Sequence, residues 1–387
     1  MIFFKNKLYF FQLVVLLLTP FLFIFDFFIE NTNLAYFLHI PLILFLCILI
    51  YIANSDVRVV RWNSKAVIIF ILMLILTLNF NVEFYQYSSY ITSLLFLMLF
   101  FVLLRPNTSL IQFKKHILII IYLYFFISLL LSFSNDYYVF IADNFRFRGL
   151  GSSSNVSGII SLVFFVVYKN LGTSRILKIL MYLLLIYLLF KEGGRINLMV
   201  GILMPCYYYF MNYYKIFTYT KTLFFIIFSI LLLVYPISST LNFTDIDKNT
   251  VDASINTRVF YSALLLEEIA TSELRFLLFG HGSHSAISMI GDMKIKPHND
   301  FLRMLYDYGV LFFILFNFYI YKLFSQSKEY SFLIVIYYAS FYHNMVFDLW
   351  LVVFMLFIYQ IVNCKTLLAQ SINIQPTTFL INEAHRD

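Results

Sequence analysis

The stretch KKHILIIIYLYFFISLLLSF, Lys114–Phe133, decides the fold class. From Ile117 to Ser134 it carries no charged residue. An uninterrupted apolar run of that length is what an α-helix needs to cross a hydrocarbon core of about 30 Å. In lipid every backbone polar group must be satisfied within the protein, which leaves only helices and closed barrels. The short alternating segments of a barrel do not recur in this chain, so the reading predicts helices only.

Working outward, similar runs fill the 387 residues, of which 62% are hydrophobic and 12% charged, with 48 Phe and 30 Tyr. That composition belongs to a polytopic membrane protein rather than a soluble domain. Polar breaks divide the runs into twelve expected spans: 8–25, 34–53, 66–80, 87–104, 117–134, 156–168, 176–190, 196–211, 222–239, 304–321, 330–343 and 349–363. Lys5 and Lys7 precede the first, but no small-residue cleavage pattern follows it, so it reads as an uncleaved span. The expected organisation is a bundle over 1–239, an extracytoplasmic loop over 240–303, three last spans over 304–364 and a cytoplasmic tail over 365–387. Cys47, Cys206 and Cys364 lie far apart in or beside apolar runs and form neither a disulfide framework nor a metal spacing.

Loop charge sets the orientation. With both termini inside, the inner segments hold 17 of the 27 basic residues and four acids, leaving 10 basic residues and 16 acids outside. The excess of Lys and Arg on one side fixes that side as cytoplasmic. The net charge of +7 is therefore a topological signal scattered between spans, not a stripe for nucleic acid.

The outer cations are then the informative residues, because topology does not ask for them. They fall in three places: FRFRGLGSSSN with Arg146 and Arg148, KEGGRINL with Lys191 and Arg195, and the segment 240–303 with Lys248, Arg258, Arg275, Lys294, Lys296 and Arg303. An arginine offers a planar fork of donors to a phosphate at any relevant pH. Near a bilayer it also snorkels from a helix end to the interface. Clustering against the topological bias favours an anion site, with Arg148, Arg195 and Arg258 the preferred trio and Arg146, Lys191 and Arg275 beside them.

The long outer segment exceeds what a helix connection needs. It opens with the acidic NFTDIDKNTVDAS, in which Asp245 and Asp247 read as solvated acids. From about Thr257 an amphipathic helix is expected, with Val259, Ala263, Leu266 and Ala270 on one face, lying on the membrane or capping the bundle. FGHGSHS follows, where Gly280 and Gly282 permit a tight turn. KIKPHNDFLRMLYDYGV, Lys294–Val310, then leads into the tenth span. There His298 is either a general base toward a sugar hydroxyl or an interfacial histidine at a helix start. His281 and His284 lack a matching carboxylate or cysteine pattern for zinc. His343 and Asp348 sit at the turn of the last hairpin. There is no P-loop, dinucleotide fingerprint or nucleophile elbow.

These patches, in this order, resemble the superfamily of O-antigen polymerases and O-antigen ligases, bacterial cell-envelope glycosyltransferases. The resemblance rests on R148-G-L-G-S-S-S-N155, on G194-R195 before an apolar helix, on N256-T-R258 with G280-H-G282, and on H298-N299-D-F-L with Gly309. Phe312, three residues after Gly309, departs from the ligases, and the Arg-to-Gly spacing of the polymerases is not cleanly present. The resemblance implies an all-α, GT-C-like enzyme of the bacterial inner membrane that uses neither metal nor cofactor. Its substrates would be undecaprenyl-diphosphate-linked oligosaccharides, with a chain-length regulator as partner. His298, Arg195 and Arg258 would carry catalysis, Arg148, Arg146, Lys191 and Arg275 would bind diphosphate, and Asn299 would support the helix start. A polymerase of repeat units is favoured over a ligase. A flippase for the same lipid-linked sugars is the competing class, although no repeated halves are visible.

Overall fold

The structure is a computed structural model. It describes residues 114–141, 144–150, 153–171, 174–213, 253–282, 285–286, 299–324 and 332–340. The expected spans 8–25, 34–53, 66–80, 87–104, 222–239 and 349–363 lie outside the described residues, as do His298, His284, Asp245, Asp247, His343 and Asp348.

Within them the chain is mostly helical: α1 (Lys114–Leu131), α2 (Ser154–Leu171), α3 (Arg175–Glu192), α4 (Arg195–Tyr213), α5 (Ala253–Thr271), α6 (Leu274–Phe279), α7 (Asp300–Phe324) and α8 (Phe332–Ser340). Among the described residues, three stretches are long and apolar enough to cross a membrane: α1, α2 and Asp300–Phe318 of α7.

The central helix is α2, packed by α1, α3, α4 and α8 and buried over most of its length. Ser153 starts it, accepting from the Val156 N–H at 3.3 Å on its hydroxyl. A serine there satisfies a donor that the first turn leaves without a partner. Between apolar surfaces in a bundle, small residues and hydrogen bonds do the joining. Accordingly Tyr124 of α1 donates to the Ser157 carbonyl at 3.2 Å and meets the Ser161 hydroxyl at 3.0 Å. Its ring lies edge-on to Phe164, centroids 4.7 Å apart. On the other side Tyr182 of α3 donates to the Gly201 carbonyl of α4 at 3.2 Å, where only a glycine leaves room for Leu189.

The expectation of helices alone is corrected by a hairpin between α1 and α2. Strands β1 (Tyr138–Ile141) and β2 (Asn144–Phe147) pair antiparallel, with Tyr138 opposite Phe147, Val139 opposite Arg146 and Phe140 opposite Phe145. YVFI and NFRF combine β-branched and aromatic residues, which favour a pleated strand. The Arg148 N–H closes the stem on the Tyr137 carbonyl at 2.8 Å, and Phe147 is fully buried beneath it.

The expected amphipathic helix is present as α5, with its buried face rotated. Tyr261 and Leu265 are buried and Leu266 and Ile269 partly so, packed against Ala286, Leu302 and Tyr306, whereas Ala270 is exposed. The face is set by docking on α7, which takes the larger side chains and leaves the alanines at its margin.

The expected span 304–321 falls within α7. Its helix begins at Asp300 and is broken at Gly309, which has φ 78° and ψ 173°. At Gly280 and Gly309 two backbones meet: a β-carbon on Gly309 would overlap the Leu278 carbonyl, and one on Gly280 the Asp307 carbonyl. The His281 N–H donates to the Tyr306 carbonyl at 2.9 Å and the Gly282 N–H to the Asp307 carbonyl at 2.8 Å. The broken helix thus exposes carbonyls that the Gly-His-Gly turn satisfies.

Candidate functional site

The site is built where α3 ends and α4 begins, in KEGGRINL. Gly193 closes α3 in the left-handed conformation, φ 66° and ψ 12°, with its N–H on the Phe190 carbonyl. A residue with a side chain takes that conformation only at a cost, and glycine is the usual helix stop. Gly194 then lets α4 restart at Arg195, which is exposed at its first position. The polypeptide folds back within two residues and presents Lys191 and Arg195 on either side of the corner.

The hairpin comes to this same corner. Strand β2 packs on α3, and the stem of Arg146 lies against Gly193, with its Cγ 3.3 Å and its Nε 3.5 Å from where a β-carbon there would stand. Arg148 follows one residue beyond the strand, ahead of Gly149, whose φ of 66° bends the chain toward α2. Two separate segments, 144–148 and 191–195, therefore bring Arg146, Arg148, Lys191 and Arg195 to one end of the described helices. The Lys191 ammonium stands 5.8 Å from the Tyr187 ring centroid.

Under the corner lies a polar cluster. Glu192, the last residue of α3, is 1% exposed, its carboxyl buried with the Ser157 hydroxyl beside it. Ser157 and Asn197 flank it; the Asn197 side chain donates to the Asn155 carbonyl at 3.0 Å. A β-carbon on Gly158 would stand 2.4 Å from Asn197 Nδ2 and 2.6 Å from Glu192 Oε2, so α2 carries a glycine where both side chains approach it. Burial pushes the Glu192 carboxyl well above the usual carboxylate range, with the Ser157 hydroxyl pulling weakly the other way. Desolvation penalises the charged form.

The other nominated residues are placed differently. Arg258 lies on α5. Arg275 is on α6, paired with Glu273 at 2.9 Å and stacked 4.4 Å over the Phe276 ring, both charged side chains being well exposed. Asn299 caps α7, its side-chain oxygen accepting from the N–H groups of Phe301 at 3.1 Å and Leu302 at 3.3 Å. His281 stacks between Phe276 and Tyr306, centroids 4.6 and 4.1 Å away, with Nε2 3.3 Å from the Ser272 hydroxyl.

Arg303, counted from sequence among the outer cations without a topological reason, is 1% exposed and sits 3.5 Å from Asp300 and 3.6 Å from Asp307. Its reason is internal pairing. Glu192 was passed over in the sequence because the neighbouring cations drew the reading. The available signal was an acid beside a Gly-Gly break in an otherwise cationic segment. Among the described residues there is no group of three or more His, Cys, Asp or Glu side chains that could hold a metal. No family model matches the chain, and no curated protein or solved structure matches it either.

Proposed function

We propose that the protein is a polytopic membrane glycosyltransferase that polymerises undecaprenyl-diphosphate-linked oligosaccharide repeat units into a surface polysaccharide. The observation that carries the reading is the meeting of two cation-bearing segments, with the Arg146 stem lying on Gly193. Four cations at one end of a helical bundle suit a diphosphate at the bilayer surface, where a lipid-linked sugar presents it.

In the reaction the bond between the anomeric carbon and the phosphate oxygen breaks as the acceptor hydroxyl attacks. The acceptor proton leaves to a base, for which His298 is the residue nominated by the sequence. The carrier departs as undecaprenyl diphosphate. Charge develops on the leaving diphosphate, so preformed cations stabilise the transition state more than the ground state. No metal enters this scheme.

Arg146→Ala and Arg195→Ala, each in a strain deleted for the gene, are expected to lower glycan polymerisation by about 100-fold, the scale of losing one charge-stabilising donor. Chain-length ladders on gels check this, with membrane insertion followed by immunoblot. Normal ladders from both variants would remove the corner from the chemistry. The deletion strain itself separates the classes. Single repeat units on the surface mark a polymerase, polymer stranded on the carrier a ligase, and single units trapped inside on the carrier a flippase.

A further inference from the structure

We infer that the β1–β2 hairpin is an interfacial membrane anchor. Phe140 and Phe145 seat as a pair in the boundary between lipid headgroups and acyl chains, at the end where α1 finishes and α2 starts. The partner is the bilayer itself, so the inference is independent of the sugar chemistry proposed above.

The first support is position. The hairpin lies in the connection 132–153 between α1 and α2, both long and apolar enough to cross a membrane. Its base is fastened at the helix ends. The Tyr138 hydroxyl donates to the carbonyl of Ser132, one residue past α1, at 2.8 Å. The Ser132 hydroxyl stands 3.4 Å from the Tyr187 hydroxyl of α3, and the Arg146 stem lies against Gly193, where α3 stops. Phe140 is two residues beyond Tyr138, about 7 Å along an extended strand. The headgroup layer on each side of the hydrocarbon core is about 5–7 Å thick, so with α1 spanning that core the pair stays at the bilayer boundary.

The second is the division of apolar surface. Opposed residues of an antiparallel pair share a face, as do alternate residues along a strand. Tyr138, Phe140, Phe145 and Phe147 therefore make one aromatic face. Its half nearest the helices is packed: Phe147 is fully buried, its ring centroid 5.7 Å from that of Tyr138. Its half nearest the tip is uncovered: Phe140 is 60% and Phe145 72% exposed, with centroids 5.2 Å apart. The same character continues onto the helices. Ile119, Leu123, Phe126 and Leu130 make an exposed stripe along α1, and Phe133, just past that helix, extends it toward the hairpin. An apolar surface continuous with the exposed face of a candidate span fits lipid.

The third is the polar setting, which fixes the depth. Arg146 and Lys191 are both half-buried at this end, Lys191 beside the Tyr187 ring. Long cationic side chains so placed carry their charge to lipid phosphates while their stems stay on apolar surface. β1 and β2 form a two-stranded sheet, so each strand has an edge of backbone N–H and C=O groups. Such an edge requires water or headgroups and is not sustained in hydrocarbon. The backbone accordingly stays among the headgroups, and the two phenylalanine rings dip below it.

The experiment uses the full chain in phosphatidylcholine nanodiscs. Phe140→Trp and Phe145→Trp are made singly, and the emission of the parent chain, which has Trp62 and Trp350, is subtracted. At a depth of about 5–10 Å, each new tryptophan is expected to lose roughly half its emission to phosphatidylcholine brominated near the headgroup. It should lose less to the same lipid brominated near the chain end, and should resist aqueous iodide. Stronger quenching by the deep bromine would place the hairpin in hydrocarbon and overturn the proposal. Quenching by iodide alone would put the face in water, and quenching by neither would put another part of the chain over it; either result overturns the proposal as well. Both positions are exposed and aromatic, so each accommodates a tryptophan, and if one variant does not assemble the other decides alone. No glycan enters these measurements, so they fail or succeed separately from the polymerase reading.

Discussion

Arg303 has exchanged water for two carboxylates, Asp300 one turn before it and Asp307 one turn after. Asp307 does more than neutralise it, because its other oxygen accepts the Ala286 N–H at 2.8 Å and so pins the segment after the Gly-His-Gly turn. Removing one member of a buried charge group leaves the others uncompensated, which costs about 3–5 kcal/mol. Arg303→Met is accordingly expected to destabilise the protein by about that much, measured by denaturation in detergent. Adding Asp300→Asn to it should recover part of the loss. The i−3 and i+4 spacing of these residues was open to view in DFLRMLYD. Loop-charge counting nevertheless scored Arg303 as an outer cation, because that rule weighs the sign of a charge and ignores its partner. Glu192 escaped because a loop-charge count gives an acid there no further meaning. Its burial beside Ser157, Gly158 and Asn197 arises only in three dimensions.

At the scale of elements, the two breaks in helical structure have different purposes. The Gly193 break turns the chain between α3 and α4 and builds the cationic corner. The Gly309 break opens α7 so that the chain following α6 can bond to the carbonyls of Tyr306 and Asp307. Gly309→Ala is expected to be poorly tolerated. Its φ of 78° disfavours any side chain, and the atom it would meet, the Leu278 carbonyl, belongs to a backbone that cannot rotate away. A loss of about 1–3 kcal/mol follows from the backbone conformation alone, read as a lowered unfolding midpoint. Helix extents were largely legible: α2, α3 and α4 each match an expected span to within a few residues at either end. Uninterrupted apolar runs between polar breaks carry that information directly. The hairpin was not legible, since two four-residue strands give too short an alternation to stand out beside eighteen-residue apolar runs. The rotated face of α5 was hidden too, because its own sequence offers several apolar stripes and the choice among them is made by α7.

Across the whole molecule, α2 is the helix the others enclose. It is the less apolar of the two candidate spans flanking the hairpin, yet it is the one buried inside the protein over most of its length. Its Ser157, Gly158 and Ser161 belong to an interior and would serve badly against lipid, where polar groups gain from neighbouring helices. That arrangement bears on how the chain is made, because α2 emerges from the ribosome before α3 and α4, the helices that cover it. In a chain stopped after residue 174, a cysteine placed at Ile160 should therefore be open to a water-soluble maleimide, whereas in one stopped after residue 213 it should be shielded. Equal shielding in the two truncations would mean that α2 is stable in lipid without α3 and α4. The buried serines that join α2 to Tyr124 in the finished protein thus set an order of assembly, with partition into the bilayer completed only when the following pair of helices arrives.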